Sequence, residues 1–170
     1  NYRITEFQAA MLSCQLSRLD EQLQKRDRNA IYLNKRFQEI DGITPMRREA
    51  GVELQSYFNF TFRYDKSSFK GLDVQRFRQA LSAELGCEVE SCYEPLNNCQ
   101  LYKPLTKKRY NISQEYIEQI NPARFSLPVC ENAYHNESVA LHHSVLLAEQ
   151  RDMDDIVNAI MKIQTHVDEL

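Results

Sequence analysis

Two histidines stand side by side in "LHHSVLL", His142 and His143. Adjacent imidazoles invite metal binding, but a zinc site needs a third and a fourth donor at ligand spacing. His135 and His166 are isolated. The stretch "SVALHHS" reads as a short strand or extended turn, in which neighbouring side chains point to opposite faces. One buried and one exposed histidine are therefore expected, not a shared metal. Five cysteines occur, Cys14, Cys87, Cys92, Cys99 and Cys130, an odd number with no CxxC pair. They read as reduced thiols of a cytosolic protein. Cys92 and Cys130 lie in or near loops, but nothing local marks either as an activated nucleophile.

A Schiff-base lysine needs an apolar pocket or nearby cations to lower its pKa. All eight lysines here lie in charged or polar contexts. The four glycines, Gly42, Gly51, Gly71 and Gly86, each stand alone. No clustered glycines are available to bring backbone N–H groups up to a phosphate. "CYEPL" puts Tyr93 and Glu94 on a proline-stiffened loop. Such a loop borders a site or makes a surface turn, and both readings stand on spacing alone.

The elements that must position these groups follow from periodicity. Ile4, Phe7, Met11 and Cys14 recur at helical spacing, and Leu12, Leu16, Leu19 and Leu23 form a stripe on a different face. A helix apolar on two faces is buried on both, or buried on one and docked on the other. Ala30, Leu33, Phe37 and Ile40 continue the pattern to Asp41-Gly42. The charged "DEQLQKRDRN" between them reads as exposed helix, so residues 5–40 form one long helix or two nearly continuous ones. "SYFNFTFRY" alternates as a half-buried strand, with Phe58, Phe60, Phe62 and Tyr64 on one face. Asp73 is placed to cap a helix with inner face Val74, Phe77, Leu81 and Leu85, ended by Gly86. "CEVES" reads as a short strand, and Pro128 as the start of a short helix. Asp152 is expected to cap a final helix with the stripe Ile156, Ile160, Ile163 and Val167. The fold class is α+β: long amino-terminal helices, then a small, mostly antiparallel sheet covered by helices. The surplus apolar surface of the first helix points to a partner surface.

The 170 residues carry a formal charge of −3, and the only basic run of three opens "KKRY". That balance argues against a general nucleic-acid binder. No apolar run reaches the ~20 residues of a membrane span, and no signal peptide is visible. A cytoplasmic location is expected.

One likeness adds to this reading. "NYRITEFQAAMLSCQLSRLDE" resembles a hallmark segment of the DegT/DnrJ/EryC1/StrS aminotransferases, pyridoxal-phosphate enzymes of fold type I that aminate sugars and cyclitols. The resemblance continues through "RNAIYLNKRFQEIDGITP", "QSYFNFTFRYD", "SCYEPLNNCQLYKPL", "LPVCENAY" and "RDMDDIVNAIMKI". It implies a carboxy-terminal piece of a chain about twice as long: residues 1–41 as interface and linking helices, residues 42–170 as the small α+β domain. The large pyridoxal-phosphate-binding domain, with its Schiff-base lysine, would be absent, so no catalytic residue is expected here. It also implies that Asn1 reaches the cofactor phosphate of a neighbouring subunit in a homodimer, and that Tyr93 lines the substrate side of the pocket. Gln55 stands where many sugar aminotransferases have a histidine, and "QSYFNF" is nearer the cyclitol and aminobenzoate branch. The implied reaction moves an amino group from a donor to a keto-sugar or keto-cyclitol, which this chain alone is not expected to do. A non-enzymatic dimerisation or regulatory module, and a small-molecule binding domain built on the Tyr93 loop, are the alternatives.

Overall fold

The computed structural model describes residues 3–102 and 111–170. The chain begins with two helices, α1 (Glu6–Leu16) and α2 (Leu19–Phe37), separated at Ser17 and Arg18. Thr5 caps α1: its hydroxyl accepts from the Gln8 N–H while the Gln8 side chain accepts from the Thr5 N–H. No residue of α1 is buried; Phe7 is 84% and Leu12 51% exposed. In α2 the stripe Ala30, Leu33 and Phe37 is buried, and so are Asp27 and Asn29 in the charged stretch expected to be solvated.

Among the described residues four strands follow: β1 (Ile43–Pro45), β2 (Asn59–Tyr64), β3 (Val89–Glu90) and β4 (Ser138–His142). They form one antiparallel sheet in the order β1-β2-β4-β3. β4 pairs Phe62 with Val139 and Phe60 with Leu141, so these four side chains share one face. Helices α2, α3 (Val74–Leu85) and α6 (Gln150–Thr165) supply the other half of that core. Phe37 packs edge-on to Phe62 at 4.9 Å between ring centres, and Tyr64 stacks on Phe77 at 4.3 Å. Loss of the fully buried Phe37 ring would cost about 3–5 kcal/mol.

Asp73 caps α3 through the Gln75 N–H, and Gly86 ends it in the left-handed region, as the sequence leads one to expect. α6 differs: Glu149 is its N-cap, and Asp152 is the reciprocal partner three residues in. Phe58 precedes β2 and is 70% exposed, so the inner face of that strand starts at Phe60. β1 is too short for alternation to reveal it. Two short helices, α4 (Gln114–Gln119) and α5 (Pro128–Asn132), lie between β3 and β4; α5 continues into a wider turn over Ala133–Glu137.

Candidate functional site

The second face of the sheet carries Thr61 and Arg63 from β2 and, opposite them, Ala140 and Ser138 from β4. A cleft of about 670 Å³ opens there, walled by Met46, Thr61, Cys92, Pro128, Val129 and Ser138. Pro128 is set at the start of α5 with its fixed φ and no N–H to satisfy. Cys92, just past β3, is tied to the sheet because its N–H donates to Ser138 Oγ at 3.0 Å. Arg63 and Glu137, also in the lining, meet in a two-point ion pair, Nε to Oε2 at 3.1 Å and Nη2 to Oε1 at 3.2 Å. Asn132 Nδ2 donates to the same carboxylate at 2.6 Å.

Met46 and Thr61 are shared with a second, smaller hollow of about 50 Å³ that also involves Asn34, Gln55, Tyr57 and Asn59. The loop bringing Gln55 there is held from α2. Arg48 Nη1 donates to Asp27 Oδ1 at 2.6 Å and Nη2 to Oδ2 at 3.2 Å. Arg48 also donates to the carbonyls of Val52 (3.0 Å) and Glu53 (2.8 Å), and Asp27 accepts the Gln55 N–H at 3.4 Å. The hydrogen bond to Asp27 raises the Arg48 pKa, against a smaller opposing effect of burial. Burial also raises the Tyr57 phenol, with help from the Asp27 charge and opposition from Arg48.

Tyr93 is 76% exposed and does not line the cleft, although its neighbour Cys92 does. Asn97 Nδ2 donates to the Phe125 carbonyl at 3.2 Å, joining the Tyr93 loop to the segment before α5. Asn1 and the "KKRY" run lie outside the described residues. His142 is exposed and His143 half-buried, close to the expected split, but the two do not point to opposite faces: β4 ends at His142, His143 opens a 3-10 turn, and the two rings lie 4.2 Å apart. Among the described residues no group of three metal-ligating side chains forms. All five cysteines are free. Asp27 and Asn34 were missed as site residues. The available signal is their separation by seven positions on α2, which puts them on one helix face.

The chain matches the DegT/DnrJ/EryC1/StrS aminotransferase family over residues 1–161. It belongs to that family. An L-glutamine:2-deoxy-scyllo-inosose aminotransferase of Streptoalloteichus tenebrarius is 38% identical over 170 residues, covering 100% of this chain and 40% of that protein. An L-glutamine:scyllo-inosose aminotransferase of Streptomyces griseus is 35% identical over the same span, again 100% against 40%. The crystal structure of 3-amino-5-hydroxybenzoic acid (AHBA) synthase superposes with a TM-score of 0.71 at 26% identity, covering 100% of this chain and 40% of that one. This DegT-family chain thus spans about two-fifths of the length of the relatives it matches.

The family depends on pyridoxal phosphate. A lysine that holds it needs an apolar enclosure. Lys25, Lys70 and Lys162 are ion-paired with Glu149, Asp168 and Glu84, and Lys35 and Lys66 are exposed. None of them lines the cleft or the hollow. The described residues do not fit covalent attachment of the cofactor. Among them, no helix is long and apolar enough to cross a membrane.

Proposed function

We propose that residues 1–170 work as part of a longer, cytoplasmic, pyridoxal-phosphate-dependent aminotransferase that places an amino group on a keto-cyclitol or keto-sugar. The observation that carries this reading is the 38% identity to an inosose aminotransferase, sustained from the first residue to the last. In this reading the cofactor's lysine belongs to a portion outside this chain. Asn1 contacts the cofactor phosphate in a neighbouring subunit of a homodimer, as an uncharged amide donor. The Tyr93 loop borders the substrate from the side of the cleft, and Cys92 in the cleft wall supports that role. The exposed apolar residues of α1 are the surface that the rest of the enzyme covers.

The test uses the complete reading frame and the 170-residue chain side by side. Each is supplied with L-glutamine, pyridoxal phosphate and scyllo-inosose, and amine formation is followed by mass. The complete protein is expected to aminate the ring, and the short chain to be inactive. A complete protein that aminates neither keto-cyclitols nor keto-sugars, or a short chain that turns over alone, overturns the reading.

A further inference from the structure

The small hollow is chemically unlike the cleft it joins. Within about 50 Å³ it gathers three side-chain amides, Asn34, Gln55 and Asn59, and the Tyr57 phenol, with no charged side chain in its lining. Asn34 Oδ1 is buried and has no hydrogen-bond donor among the described residues. A buried acceptor left without a donor costs about 1–3 kcal/mol. Asn34 itself is half-buried and lines the hollow, so this acceptor is open to a donor that enters from outside the chain.

We propose that this hollow recognises one hydroxyl group of a neutral, polyhydroxylated ring whose body lies in the adjoining cleft. Size is the first argument. At about 50 Å³ the hollow takes a small polar group such as a hydroxyl and the carbon that bears it, while a whole ring needs the larger cleft of about 670 Å³. Charge is the second. Amides and a phenol donate and accept, and so match a hydroxyl in both roles, but they do not compensate an ion. Continuity is the third. Met46 and Thr61 wall both spaces, so a ring resting its C–H face on Met46, Pro128 and Val129 can turn one hydroxyl toward Asn34. The Asp27–Arg48 pair is then a positioning element, because it fixes the backbone on which Gln55 is carried. That the ring is the amino acceptor rests on the aminotransferase reading; the match between hollow and hydroxyl does not.

The probe is scyllo-inositol, a neutral cyclitol that cannot be aminated. It is titrated into the isotope-labelled 170-residue chain, and the side-chain amide signals of Asn34, Gln55 and Asn59 are followed by NMR, with glycerol as a non-ring control. Saturable shifts of these signals with scyllo-inositol and not with glycerol are expected. Asn34→Leu should weaken binding about tenfold or more while the melting temperature holds or rises, since the lone acceptor is gone. Asn34→Ala, which cannot overfill the hollow, should show the same loss. Unmoved amide signals, equal shifts with glycerol, or undiminished binding in both variants overturns the proposal. None of these readings depends on amination, so a failure of the proposed activity and a failure of the hollow are separately visible.

Discussion

Arg48 grips Asp27 with two nitrogens at once, at 2.6 and 3.2 Å, across 21 positions of sequence. Asp27 is 6% exposed. A planar guanidinium suits this geometry and an ammonium does not. The donors also reach the carbonyls of Val52 and Glu53, so one side chain closes the segment ahead of β2 onto α2.

Asp27→Ala should destabilise the chain by about 2 kcal/mol. This is less than the 3–5 kcal/mol typical of a broken, fully buried pair, because Arg48 keeps contact with water. Urea unfolding measures the loss. Amide hydrogen exchange should quicken across residues 47–57 and stay unchanged in α3. Arg48→Lys should resemble Arg48→Ala in that exchange experiment.

Stability should fall on acidification through His143. Burial, then the adjacent His142 and Arg26, lowers its pKa below the ordinary 6.5. His143 Nδ1 and Arg26 Nε are both buried without a partner among the described residues. The folded state therefore resists a proton that the unfolded chain accepts. The sign follows: His143 costs nothing above the unfolded value, weakens the fold as pH drops through it, and levels off below the lower folded value. Melting temperatures across about pH 5–8 should slope less in His143→Gln than in wild type. Equal slopes would remove His143 from the account.

Gly42 and Gly51 both have positive φ, +82° and +93°, but differ in surroundings. A Cβ at Gly42 would sit 2.5 Å from Ser68 Cβ, whereas one at Gly51 meets nothing within 4 Å. The Gly42 carbonyl also accepts the Asp65 N–H at 2.8 Å, joining the start of β1 to the end of β2. Gly42→Ala should cost about 3 kcal/mol, and Gly51→Ala only about 1 kcal/mol of backbone strain. Thermal unfolding of the two variants gives the comparison directly.

Phe7→Glu and Leu12→Glu should each leave the melting temperature of a dilute sample nearly unchanged, within about 0.5 kcal/mol. Neither side chain packs into the core. Sedimentation should show self-association of the wild type and its loss in both variants. A wild type that stays monomeric would count against α1 as an intersubunit surface.

How far the sequence could be read follows the range of the interactions involved. α3 was legible because its cap Asp73, apolar stripe and terminal Gly86 are all local signals. β2 was legible because its alternation runs over six residues. β1 was not, because its three residues are a strand only by pairing with β2. The histidine pair was read only in part, because the chain leaves the strand between the two residues, in a turn that the His142 ring itself caps by accepting the Ser144 N–H. Asp27 was concealed in a charged helix, because its burial depends on a loop about 20 residues further on, and the half-buried Asn34 meets Gln55 only through the same loop. The resemblance pointed to the Tyr93 loop, but the amide hollow needs α2, the Gln55 loop and β2 together, so no single segment reveals it.

The strand order also has a consequence for biosynthesis. β4 lies between β2 and β3 but is the last of the four described strands to be made. Until residues 138–142 leave the ribosome, β2 has an open hydrogen-bonding edge and the aromatic rings of Phe60 and Phe62 lack their partners Leu141 and Val139. Pairings across such sequence distances form slowly, and unpaired edges recruit other chains. A nascent chain halted before β4 would therefore carry an unpaired edge and an open core, and that core closes only once β4 and α6 have both been made.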